Sequence, residues 1–227
     1  MNKIVFLLVF SLALSMGLYA VDNSEQLLKE LGIEMIKIPG KNFEIMSTEV
    51  TQKTYKAVMG KNEANHEGDD LPVDCVGMFP AIKFCNVLSE KLGYTPVYSQ
   101  NGFKIELDKS ANGFRLPTVE EWQYAAKGGE AYKYAGSDNL DEVAWYMDNS
   151  KYNTHPVRQK KANGYGLYDM SGNVQEWCWF PHDIGYTCVC GGGYRGYASD
   201  CDISNFQIAQ NVILGNGVGL RVVRNIQ

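Results

Sequence analysis

Three histidines are all that the 227 residues contain, and His66, His155 and His182 share no ligand spacing. Zinc sites need Cys and His recurring at short fixed intervals. Cys188-Val-Cys190 is the only close cysteine pair, and no second Cys/His pair accompanies it. Zinc is therefore not expected. Positive charge is also short: 21 Lys and Arg against 26 Asp and Glu leave a net charge of −5. Without a basic stripe there is no footprint for nucleic acid, and Lys160-Lys161 reads as a solvated corner. After residue 20 no apolar run is long enough to span a bilayer. No internal repeat is visible.

The one long apolar run opens the chain. MNKIVFLLVFSLALSMGLYA has a single Lys, an apolar core and small residues near Ala20. It reads as a secretory signal peptide over 1–20, cleaved near Ala20–Val21. A membrane anchor is the alternative, but the run is short and no basic stop follows it. Residues 21–227 are enough for one large domain with an ample core. The expected location is outside the cytoplasm: periplasmic, cell-surface or secreted. All six cysteines lie in the mature part. In an exported chain an even count permits disulfides; in a weakly oxidising compartment buried free thiols are equally credible.

Local patterns give the elements. Asp22–Leu31 reads as a short helix with Leu27, Leu28 and Leu31 on one face, and IEMIKIPGKNFEIM as two strands about a Pro39–Gly40 turn. Thr48 or Thr51 can cap a helix carrying Tyr55, Val58 and Met59. Ile82, Phe84, Cys85 and Leu88 have helical spacing, with Gly93 placed to end the helix. Thr118 and Glu121 form a capping-box pair before Trp122, Tyr124 and Ala125, and Gly128–Gly129 stop that helix. Arg115 is assigned to a structural ion pair rather than to a ligand contact.

One stretch fits no period. NGYGLYDMSGNVQEWCW, Asn163 to Trp179, neither alternates nor repeats every three or four residues, yet it is too aromatic for a linker. It is expected to be an irregular segment folded into the core, where each backbone donor and acceptor needs a partner. Asp169 and Glu176 can supply carboxylate oxygens to a hard cation, as calcium requires. Alternatively, Asp169 and Asn173 can simply form side-chain-to-backbone turns.

The same stretch resembles the signature G-L-x-[ND]-x-x-G-N-x-x-E-W of the formylglycine-generating enzyme, or sulfatase-modifying factor, family. EVTQKTYKAVM, GFRLPTVEEW and GLRVVRN resemble further motifs of that family, in the right order, from about Ile36 to Asn225. The resemblance implies an α+β fold, a single C-type-lectin-like domain with much irregular loop. It also implies a structural calcium ion held by the side chains of Asp169 and Glu176 and the carbonyls of Gly172 and Val174. An insertion common in the family is missing before Ser47.

The resemblance breaks where the family's chemistry sits. Its oxidase activity uses two cysteines in a segment like G-G-S-W-x-C-x-x-x-x-C, with copper between them. Here the segment is GGGYRGYASDC: Cys201 keeps the second position, and Gly196 stands at the first. One thiol cannot form a dithiolate copper site, so neither copper nor catalysis is expected. Arg195, Tyr197, Ser199, Asp200, Phe206, Gln207, Ile208, Gln210 and Asn211 mix aromatic, amide and small polar types, the chemistry of an adaptable recognition surface. The arrangement resembles the variable proteins of diversity-generating retroelements, the treponemal type especially. It implies an exported module binding an unidentified protein through a variable C-terminal surface. The alternatives are a formylglycine-generating oxidase, a degenerate paralogue with a solvent-facing loop, and a sugar-binding lectin, although the E-P-N and Q-P-D tripeptides of calcium-dependent lectins are absent.

Overall fold

Residues 23–102, 104–180, 186–210 and 216–226 are described by the computed structural model of the chain. The segment read as a leader therefore lies outside the described residues, as does Asn211. The first described element is a helix, α1, over 23–30. Leu28 is buried, and Leu27 and Leu31 pack on the same apolar cluster, as their spacing requires.

Strands β1 (Met35–Lys37) and β2 (Phe43–Met46) pair antiparallel across the Pro39–Gly40 turn. The C-terminal strand β10 (Val223–Asn225) inserts between β2 and β5 (Phe114–Arg115), giving a sheet of order β1-β2-β10-β5. Both ends of the described chain are thus stitched into one sheet. Of the two cap candidates, Thr51 starts α2 (Gln52–Met59): its side chain accepts from Thr54 N. Helix α3 (Met78–Lys91) runs to Leu92, with Gly93 one residue beyond at φ 76°. Ile82, Phe84, Cys85 and Leu88 are buried from it. A hairpin, β3 (Tyr98–Asn101) with β4 (Lys104–Leu107), follows.

Helix α4 (Val119–Lys127) carries both halves of the Thr118–Glu121 capping box. Glu121 also meets Arg115, whose guanidinium donates to both carboxylate oxygens at 2.6 and 2.7 Å. Arg115 is structural, as its sequence context implies. The helix ends on Gly128, and Asn163 seals it, donating through Nδ2 to Ala125 O and Ala126 O. Short helices α5 (Leu140–Val143) and α6 (Met147–Ser150) complete the middle of the chain.

The irregular stretch is buried as expected, with one difference. Its last part is a strand, β6 (Gln175–Cys178). Glu176, Trp177 and Cys178 are all buried, so the two faces of β6 do not differ in polarity and no alternation marks it. It pairs antiparallel with β7 (Tyr186–Cys190) and parallel with β9 (Val218–Gly219), and β7 pairs with β8 (Phe206–Gln210). The second sheet has the order β8-β7-β6-β9, which leaves β8 on its edge among the described residues. One large core lies under α1, α2, α3 and Trp177; a second joins β2, α4 and the cysteines of β6 and β7. The result is α+β, as expected.

Candidate functional site

The site has a buried floor of charge and an exposed rim. The floor begins at Glu176 on β6. Its Oε1 accepts from Arg221 Nε at 3.0 Å and Nη2 at 2.8 Å. Its Oε2 accepts from Arg221 Nε at 3.0 Å and from Trp122 Nε1 at 2.6 Å. Arg221 also donates through Nη1 to Met46 O and through Nη2 to Tyr168 O. Both side chains are essentially without solvent. Glu49, fully buried, lies behind them: Oε1 accepts from Val174 N and Oε2 from Asn173 Nδ2. Burial raises the Glu49 pKa well above its ordinary value, and the nearby Asp169 and Glu176 charges push the same way.

Asp169 takes the left-handed φ of 57° and accepts from Arg158 N at 2.8 Å through Oδ2. Its other oxygen, Oδ1, is buried without a partner. Asn173, also left-handed at φ 61°, bonds His155 N and O. These polar groups therefore reach distant backbone rather than closing local turns. Gly172 has to be glycine: φ is 83°, and a Cβ there would stand 2.5 Å from Trp145 O.

This geometry bears on calcium. Of the side chains proposed as ligands, Asp169 offers one free oxygen, whereas both oxygens of Glu176 already receive guanidinium and indole donors. In this arrangement Arg221 and Trp122 occupy the Glu176 carboxylate, and Asp169 Oδ1 is the open acceptor of the two side chains.

The rim is built from the glycine run onward. Gly191 and Gly192 turn with φ of 92° and 67°. Tyr194 is buried, with its hydroxyl donating to Asp74 Oδ2 and its carbonyl accepting from Ser150 Oγ. Gly196 O accepts from Met147 N, which ties the loop to α6. Beyond these anchors Arg195, Tyr197 and Ser199 are exposed. A 3-10 turn (Ala198–Cys201) follows, held by Asp200 Oδ2 accepting from Tyr197 N. Phe206, Gln207 and Ile208 are exposed on β8. Gln210 closes β8, but its side chain, like all of Asn211, lies outside the described residues.

Two adjoining concavities open on this rim, of about 240 and 190 Å³. Gln175, Asp200 and Gln207 line both. Phe206 and Asn205 border the first, and Arg195, Gly196 and Asn216 the second. Of the nine residues picked out as a recognition surface, Arg195, Asp200, Phe206 and Gln207 line these concavities, while Tyr197, Ser199 and Ile208 are exposed without lining them. Gln175, Tyr194 and Asn216 were not picked out, because each lies in a segment whose sequence reads as framework. The Cys201 thiol is buried, and a Cβ on Gly196 would sit 3.2 Å from both Asp200 Oδ2 and Gly193 O.

Asp169 makes the floor sensitive to pH. Burial raises its pKa from 3.8 to about 6, while the Arg158 N–H bond and the Arg221 charge oppose the rise. The folded state thus prefers the protonated acid, a preference fully present below pH 3.8 and lost as pH rises through about 6. An asparagine in its place cannot ionise and keeps an acceptor for Arg158 N. Chemical denaturation of Asp169→Asn and of the natural chain is expected to show the variant gaining ~2 kcal/mol relative to wild type between pH 4 and pH 7. Parallel pH profiles would contradict this.

Comparison with known proteins places this architecture. The model of the Sulfatase-modifying factor enzyme 1-like domain matches residues 12–226. A relative called Chaperone protein LppX, from Paenibacillus barcinonensis, is 37% identical over 81% of this chain and 80% of its own length. The Formylglycine-generating enzyme of Mycobacterium tuberculosis is 37% identical, but over only 40% of this chain and 38% of its own. Among solved structures, Treponema denticola variable protein 1 superposes with a TM-score of 0.76 at 31% identity, covering 85% of this chain and 92% of that one. With nearly its whole length matched and the motif residues meeting in one buried network, the chain belongs to the formylglycine-generating enzyme, or sulfatase-modifying factor, family.

Proposed function

We propose that this member of the family is an exported binding module, and that the face from Arg195 to Asn211 receives a protein partner. One observation carries the reading: within twelve residues Tyr197, Phe206 and Ile208 are 69%, 42% and 55% exposed, and Phe206 borders one of two adjoining shallow concavities. Large apolar side chains held out together in water mark an interaction surface. Each concavity is smaller than the ~300 Å³ at which small-molecule pockets begin. Amide, aromatic and arginine groups around a shallow floor suit a protein surface better than a buried metabolite. The likeness to a treponemal variable protein supports the same reading, and by resemblance the exposed positions are those a diversity-generating retroelement would vary.

The oxidase reading lacks its centre. Gly196 offers no thiol at the first catalytic position, and Cys201 is packed inward. The family itself contains members called inactive, such as Inactive C-alpha-formylglycine-generating enzyme 2 of Bos taurus. We also infer that Arg221 supplies at Glu176 the positive charge that the resemblance assigns to calcium.

Four measurements test these proposals. In the first, Tyr197→Ala and Phe206→Ala each leave folding intact and weaken capture of a selected partner by roughly 1 kcal/mol or more. Unchanged affinity in both would remove the surface from the account. Second, incubation with copper, oxygen and a Cys-x-Pro-x-Arg peptide yields no formylglycine; turnover would restore the oxidase. Third, melting midpoints coincide in calcium and in chelator. A calcium-dependent rise would show an ion that binds the native state, and calcium-dependent sugar binding on a glycan array would favour a lectin.

A further inference from the structure

Three cysteines unused by the recognition surface lie together beneath it. Cys178 on β6 faces Cys188 directly across the ladder, and Cys190 follows on the same side of β7. All three are buried in the core cluster that also holds Trp122 and Met170. The Sγ atoms of Cys178 and Cys190 are 3.4 Å apart, in direct contact. Cys190 also lines the larger concavity, with Gly191 and Gly192 beside it. We propose that Cys178 and Cys190 are a disulfide-forming pair, which clamps β6 to β7 under the recognition strand.

The register gives the pair its consequence. Cys190 lies opposite Phe206 and Cys188 opposite Ile208, the two exposed apolar residues of β8. A bond from Cys178 to Cys190 fixes the strand on which β8 rests. The chemistry is thiol–disulfide exchange with a small external disulfide such as oxidised glutathione. The Cys190 thiolate attacks one glutathione sulfur, forming a mixed disulfide and expelling one glutathione thiolate. The Cys178 thiolate then attacks Cys190 Sγ and expels the second. The protein loses two protons and two electrons, and one glutathione disulfide becomes two thiols. The concavity gives Cys190 the first step; Cys178, behind it, resolves. Burial holds the Cys178 thiol well above its ordinary pKa, aided by its Cys190 neighbour, and raises Cys188 to about 11. Exchange in the folded chain is accordingly slow, and the bond once made is shielded.

The pair is tested on the full chain refolded in a glutathione redox buffer, acid-quenched, and alkylated in denaturant without reduction. No Lys or Arg lies between Lys161 and Arg195, so trypsin leaves all three cysteines on one peptide. Chymotryptic cleavage at the aromatic residues separates Cys178 from the other two. The expected mass shows two fewer alkylated thiols than the six of the reduced chain, with a linked peptide pair. Fragment ions between Cys188 and Cys190 place the link on Cys190. In Cys188→Ser the link persists, and in Cys190→Ser it is lost. Six alkylated thiols in the wild type would overturn the proposal. So would fragment ions placing the link on Cys188, or a link that vanishes in Cys188→Ser.

Discussion

The buried ion pair between Glu176 and Arg221 is the constraint on which the rest of this structure depends. Its partners are 45 positions apart, and neither has solvent to turn to. Removing one partner of such a pair leaves an uncompensated buried charge, at a cost of ~3–5 kcal/mol. The pair also sets geometry. Glu176 belongs to β6 in one sheet, while Arg221 leads into β10 in the other and donates to Met46 O at the end of β2. One guanidinium thereby fastens the two sheets and fixes the irregular segment between them. Glu49 adds a second anchor through Val174 N and Asn173 Nδ2, so the backbone around Gly172 has its buried donors met.

That floor explains how the surface above it can differ from the family's chemistry without loss of fold. The glycine run from Gly191 leaves the buried sheet and is pinned by Tyr194, Ser150 and Met147. Past those anchors Arg195, Tyr197, Ser199, Phe206, Gln207 and Ile208 face solvent, while Cys201 and Ile203 between them stay in the core. Tyr197 meets solvent over most of its area, whereas Tyr194, three residues earlier, has none exposed. A sharp change from buried to exposed within one loop lets the exposed side chains differ at little cost to the scaffold.

Local elements were legible in the sequence for local reasons. The Thr118–Glu121 capping box, the Thr51 cap, the Pro39–Gly40 hairpin and the packed face of α3 are each written within a few residues. The positions of Gly196 and Cys201 follow from motif register, since both count off from the glycine run. Strand β6 was not legible, because Glu176, Trp177 and Cys178 are all buried and leave no period to read. The union of Glu176 with Arg221 was also hidden. Each sat in a separate motif, and nothing in either motif names its partner. For that reason the sequence shows the Glu176 carboxylate without showing the Arg221 guanidinium that bonds it.

The central claim is a constant buried floor beneath a changeable surface, and sequencing the same locus in sibling strains tests it most directly. The account predicts substitutions concentrated between Arg195 and Gly217, with Asn163 to Trp179 and Arg221 unchanged. Substitutions scattered evenly over both stretches would contradict it.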